Sequence, residues 1–182
     1  MKIAKLVSIF ALSAMVFAMD AAASQSGKAP VGFIVHSAPK AIANIQFQDG
    51  NGQKVQLADY RGKTILLNIW ATWCGPCRKE MPTLDRLQET LGGERFEVVA
   101  LSVDRAGTRV VRKFYDEIGI KHLRIVIDPT MRTMRELRVV GLPMTYLISP
   151  SGKEIGRLIG PAEWDAAEMV VFLKSQIDQS KQ

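Results

Sequence analysis

Apolar and polar positions alternate from Ala43 onward: Ile45 and Phe47 stand between polar neighbours, Asp49-Gly50-Asn51-Gly52 supplies turn residues, and Val55 and Leu57 alternate again. That pattern predicts a β-hairpin. Thr64–Trp70 is nearly continuous in apolar residues, as in a strand buried on both faces. Met81, Leu84, Leu87 and Leu91 then recur at helical spacing until Gly92-Gly93, with Pro82 expected to kink the helix one turn after Cys77. The same reading gives a buried strand over Phe96–Val103, a helix over Arg109–Ile118 stopped by Gly119, a strand over Leu123–Ile127 and a short helix over Thr130–Leu137. An antiparallel hairpin follows, Met144–Ser149 and Glu154–Ile159 joined by Pro150-Ser151-Gly152-Lys153, and an amphipathic helix over Pro161–Gln179 closes the chain. The order describes an α/β fold: a central mixed β-sheet with helices on both faces and an extra N-terminal β-hairpin. Ser24–Lys40 mixes Ser, Gly, Pro and Lys without a period and reads as a linker or irregular lead-in, which leaves residues 41–182 as one domain.

The first segment differs in kind. Lys2 and Lys5 precede a charge-free run, Leu6–Met19, and Ala21-Ala22-Ala23 offers small residues at a peptidase site. Residues 1–23 therefore read as an export signal that sends the domain to the periplasm. As a helix the run spans ~21 Å, short of the ~30 Å hydrocarbon core. An uncleaved signal would be the only membrane contact and would still leave the domain outside. No cysteine stands at the cleavage point to accept a lipid. The formal net charge of +6 is spread among acids and lacks an aromatic ladder, so nucleic-acid binding is not expected; acidic proteins or anionic lipid surfaces remain compatible partners, and a monomer is expected.

The chemistry lies in the two cysteines, Trp73-Cys74-Gly75-Pro76-Cys77, between an apolar run and a helical pattern. So short a ring constrains little of the unfolded chain, which makes the bond a reagent rather than a brace. Zinc needs four ligands, and the only histidines, His36 and His122, sit in the lead-in and in isolation, each solvent-facing or locally hydrogen-bonded; no metal or cofactor is expected. Gly75-Pro76 supports a helix starting at or just after Cys74. Its unpaired N–H groups and dipole favour a Cys74 thiolate, while Cys77 lies one turn further in. Cys74 attacks a substrate disulfide and Cys77 resolves the mixed disulfide. Pro143 enters a strand, and the pattern alone leaves its peptide isomer open.

Leu66–Pro82, which contains Asn68, Trp70-Ala71-Thr72-Trp73-Cys74-Gly75-Pro76-Cys77 and Glu80, resembles the active-site segment of the thioredoxin superfamily, and most closely its exported TlpA/ResA-type thiol-disulfide oxidoreductases. Leu57–Lys63 and Gly141-Leu142-Pro143 extend the resemblance over roughly residues 40–180. It implies a thioredoxin-like fold, a cis-proline loop at Pro143 facing the disulfide, and Leu142 offering its backbone to an extended substrate. It also implies a membrane dithiol electron donor and substrates such as apocytochrome c or copper-site assembly proteins. Asn68 stands where thioredoxin carries a buried carboxylate; Glu80 is either its substitute in proton transfer or an exposed helical glutamate. Met144 replaces a small hydroxyl residue. Trp70 is expected in the core, Trp73 as a shield over the sulfurs, and Trp164 in helix packing. A peroxidase would need a hydroxyl residue activating a lone cysteine, and Thr72 is too close along the chain to do so.

The expected function is an exported reductant of specific protein disulfides. Two alternatives stand: a disulfide-forming oxidant, since direction depends on how strongly the Cys74 thiolate is stabilised, and a Cu(I)-binding module that uses the thiolates with Met81 or Met144 and delivers copper to a respiratory oxidase.

Overall fold

A computed structural model describes residues 27–179, so the expected export signal lies outside the described residues. The strands are β1 (Ile34–Ala41), β2 (Gln46–Asp49), β3 (Lys54–Gln56), β4 (Thr64–Trp70), β5 (Phe96–Ser102), β6 (Val126–Ile127), β7 (Met144–Ile148) and β8 (Lys153–Ile159). They form one mixed sheet in the order β1-β8-β7-β4-β5-β6-β2-β3, with β4, β5 and β6 parallel and the other pairings antiparallel. The helices are α1 (Gly75–Leu91), α2 (Thr108–Ile118), α3 (Arg132–Glu136) and α4 (Ala167–Gln179).

Every residue of β4 is buried, as its unbroken apolar run demands of a central strand. Asn68 and Trp70 share one face of β4 and meet α1 and α2: Asn68 bonds to Glu80, and the Trp70 ring stacks on Tyr115 at 5.8 Å. Tyr146 on β7 points to the opposite face and bonds to the Leu137 carbonyl just beyond α3. Helices thus cover both faces. The β2–β3 hairpin lies where the alternation at Ile45–Leu57 places it, and Gly119 ends α2 in the left-handed conformation. No helix among the described residues is long and apolar enough to cross a membrane.

Three expectations change. The lead-in is not irregular throughout: residues 34–41 form β1, an edge strand on β8. Its docking rests on Phe33 packed edge-on against Phe172 and on His36, which bonds to Glu154; a Cβ at Gly156 would lie 2.7 Å from the Ile34 carbonyl, so glycine admits the strand there. The strand at Leu123–Ile127 shrinks to Val126–Ile127, because the N–H groups of Lys121, His122 and Leu123 donate to the Asp85 carboxylate rather than to a neighbouring strand. The closing helix starts at Ala167 instead of Pro161, because the N–H groups of Ala162 and Trp164 are taken by Glu80 and Thr83. Pro82 lies inside α1, which continues past it, and leaves the Arg78 carbonyl without its helical donor.

Candidate functional site

Cys74 is the residue at which α1 begins. Its backbone is extended, Pro76 sits in the first turn where a missing N–H costs nothing, and the Cys74 Sγ accepts from the Cys77 N–H at 3.3 Å. The two sulfurs are joined in a disulfide with the Cα atoms 5.3 Å apart. Exposure is unequal: Cys74 retains 7% of its surface and Cys77 none. Reduction would leave a sulfur anion at Cys74 facing an N–H and the positive end of a long helix, the surroundings that lower thiol pKa values.

The segment before the pair is tied on both sides. Asp104, buried at the end of β5, accepts from the Thr72 N–H (2.8 Å), the Thr72 hydroxyl (2.7 Å) and the Ser102 hydroxyl (2.8 Å). Arg78 donates to the Thr72 carbonyl at 3.2 Å, with its guanidinium 4.4 Å from the Phe114 ring centroid. Trp73 projects from this fixed turn with 64% of its surface exposed, so its ring is offered outward, whereas Trp70 is wholly buried and donates to the Ala100 carbonyl.

Behind Cys77, one turn along α1, lies Glu80. It is not an exposed helical glutamate: only 2% of it is accessible. One carboxylate oxygen accepts from Asn68 Nδ2 at 2.8 Å, and the other from the Ala162 N–H (3.0 Å) and Trp164 Nε1 (2.9 Å). Burial raises its pKa to about 6 against the opposing pull of those donors. Asn68 also donates to the Thr145 hydroxyl at 2.9 Å. Trp164 is wholly buried against α1, its backbone N–H bonded to Thr83 and its ring N–H to Glu80; it precedes α4 and closes over the glutamate. The Asn68, Thr145 and Trp164 partners are missing from the sequence reading, since residues 68, 80, 145 and 164 converge only through the sheet register and one loop.

The Leu142–Pro143 peptide is cis. The β4–β7 register pairs Ile69 with Met144, and one further step brings Pro143 beside Trp70 at the cysteine end of the sheet. Leu142 is half-buried, and neither of its backbone groups bonds to the rest of the described chain. Met144 is buried, and its sulfur accepts from the Tyr146 hydroxyl. His36 departs from expectation, being neither solvent-facing nor locally bonded: its side chain is 6% exposed and pairs with Glu154 across the β1–β8 contact. His122 lies 3.6 Å from Glu89 at the surface. Among the described residues no three of His, Cys, Asp and Glu converge as metal ligands would.

A family profile described as the AhpC/TSA family matches residues 36–153. The chain is 34% identical over 121 residues to the thiol-disulfide oxidoreductase ResA of Bacillus thuringiensis (strain Al Hakam), covering 66% of this chain and 69% of that one. Against ResA of Bacillus subtilis (strain 168) it is 32% identical over 117 residues, 64% of each chain. Among solved structures, a thiol:disulfide interchange protein assigned as DsbE from Chlorobium tepidum superposes with a TM-score of 0.66 at 28% identity, covering 79% of this chain and 97% of that one. The chain therefore belongs to the AhpC/TSA family, as a thiol-disulfide oxidoreductase of thioredoxin-like fold.

Proposed function

We propose that the chain is an exported, periplasmic reductant that transfers two electrons to disulfides of specific proteins, in cytochrome c maturation or copper-site assembly, and is itself recharged by a membrane dithiol donor. The observation that carries this is the unequal pair at the head of α1: Cys74, the more accessible at 7%, with an N–H pointed at its sulfur, and a fully buried Cys77 one turn behind, backed by a buried carboxylate.

The cycle follows from that asymmetry. Reduced Cys74 attacks as its thiolate, an S–S bond to the substrate forms, and the first substrate sulfur leaves as a thiolate. Cys77 then attacks Cys74 Sγ; its proton passes to Glu80, and the second substrate sulfur departs with its electron pair. The substrate gains two electrons and the chain regains its disulfide. Glu80 suits the acceptor's role because, with a pKa of about 6, it is largely ionised at neutral pH yet returns a proton readily. Leu142, with its unpaired backbone groups beside cis Pro143, provides a place for an extended substrate to pair, and the outward Trp73 ring provides apolar contact next to the sulfurs.

The export step and the substrates' identity rest on the sequence of residues 1–23 and on resemblance. The similarity to the thiol-disulfide oxidoreductase ResA supports thiol-disulfide exchange, and the reducing direction rests on the Gly75-Pro76 pair and the TlpA-like flanks. Trapping tests it: with Cys77→Ser, the mixed disulfide at Cys74 accumulates on a native substrate protein and can be identified by mass, while Cys74→Ser traps nothing. Recovery of no protein from the native compartment would refute a protein substrate.

A further inference from the structure

Around the carboxyl ends of β4, β5 and β6 the exposed charges are mostly cationic, although Glu136 on α3 and Glu163, beside Pro76, are exposed acids at this end. Arg78 on α1, Arg105 in the β5–α2 connection, Arg109 in the first turn of α2, and Arg132, Arg135 and Arg138 on and beyond α3 are all exposed. Trp70 pairs with Ser102, and Ser102 with Ile127, so the three connections leave the sheet level with one another, and Cys74 sits in the first. Two contacts knit them together. Arg78 lies over Phe114 of α2, and Arg105 Nε donates to the Met131 sulfur at 3.2 Å, beside the start of α3.

The acids of these connections do not offset the charge at the surface. Asp104 and Asp128 are 3% and 2% exposed; Asp104 is occupied by Thr72 of the first connection and by Ser102, Asp128 by Thr130 and Thr133 of its own turn, and Glu136 pairs with Arg132. Elsewhere on the molecule several cations stand with acids, as in Arg86–Asp165, Lys63–Glu97 and Lys113–Glu117, while others such as Lys54 and Lys153 stand singly rather than in a cluster. Here Arg78, Arg105, Arg109, Arg135 and Arg138 form no ion pair among the described residues. Within the same ring stand two large apolar side chains left to solvent, Trp73 at 64% and Val140 at 77% exposure. Uncompensated cations around an exposed aromatic raise the local concentration of anions and leave apolar area to be covered.

We propose that this end of the molecule docks acidic polypeptides: the preferred substrate carries Asp or Glu on both sides of its disulfide and a large apolar side chain that covers Trp73 and Val140. This rests on the oxidoreductase reading above and narrows its substrate class. The positive ring speeds encounter with such a segment and favours the substrate thiolates released when electrons pass from the Cys74/Cys77 dithiol to the substrate disulfide. It acts on association, so salt should weaken it.

The test uses single-turnover reduction by the reduced protein, with no other reductant present. Two peptides share one intramolecular disulfide and one phenylalanine and differ only in flanking Glu or Lys; 2-hydroxyethyl disulfide serves as an uncharged control. At low ionic strength the Glu peptide should react at least about fivefold faster than the Lys peptide, and the ratio should fall toward one in about 0.5 M NaCl. A combined Arg105→Glu, Arg135→Glu and Arg138→Glu variant should invert the order; the salt series makes the same test on the unaltered protein. A ratio below fivefold, or one that salt does not reduce, overturns the proposal. If the uncharged disulfide is still reduced in that case, the oxidoreductase reading stands and only the docking surface fails. If the uncharged disulfide is not reduced either, the functional reading itself fails. Binding to phosphatidylglycerol vesicles without peptide preference would assign the charge to a lipid surface and also overturn the proposal.

Discussion

At the scale of single residues, Glu80 couples folding to the site's chemistry. Its carboxyl group is buried and titrates near 6 in the folded chain against an ordinary value of 4.5, so the native state holds this proton more tightly than the unfolded state. The contribution of Glu80 to stability is therefore fully present below about pH 4.5 and lost as the pH rises through about 6. At pH 7 the loss amounts to about 2 kcal/mol. Glu80→Gln should remove this pH dependence from the denaturation midpoint of the oxidised protein, and should slow resolution by Cys77 without slowing formation of the mixed disulfide. Parallel stability curves for the variant and the parent between pH 4 and 7, or equal slowing of both steps, would show that the carboxyl does not titrate in this role. The cysteine pair was legible in the sequence because its spacing and flanks are local. The glutamate's surroundings were not, since Asn68 and Trp164 reach it from β4 and from a loop 84 residues away.

Among the elements, the local patterns that survive folding are those whose backbone groups have no competing partner. The runs at β4 and β5 became strands with their expected starts, and α2 stops at Gly119 as read. Boundaries moved where a buried side chain captured backbone N–H groups: Asp85 shortened β6, and Glu80 with Thr83 delayed α4. Neither acid carries a periodic signal. The larger change is β1, whose docking depends on groups far away in sequence: the Glu154 carboxylate, 3% exposed, is shared by His36 at 2.7 Å and by a two-toothed Arg157 contact at 2.5 and 2.6 Å. Burial opposes ionisation of Glu154, but these partners outweigh it and hold its pKa below the ordinary value, so the contact stabilises above that value and is lost on acidification. His36→Ala should cost about 1–2 kcal/mol and raise hydrogen exchange selectively over residues 34–41. Unchanged protection of that segment would mean that Phe33 and the strand ladder hold it alone.

For the whole molecule, a fully buried β4 and a laterally anchored Thr72–Cys74 turn fix one sulfur nearer the surface and the other behind it, so the direction of electron flow is decided by the energy of the Cys74 anion. A dipole and one N–H at 3.3 Å stabilise it, and no cation is paired with the sulfur among the described residues. That moderate stabilisation favours the reductant proposed above; a strong oxidant gains its potential from a far more stable thiolate. Most of this was readable in outline, because the order of strands and helices and the placement of the cysteines follow from periodicity, while the closure of the site by Pro143, Asp104 and Trp164 is a property of tertiary register. Equilibration of the purified domain against glutathione redox buffers tests the account most directly. A midpoint more negative than about −200 mV is expected, in the range of thioredoxin and glutaredoxins; a value near −120 mV, that of a dedicated oxidant, would contradict it.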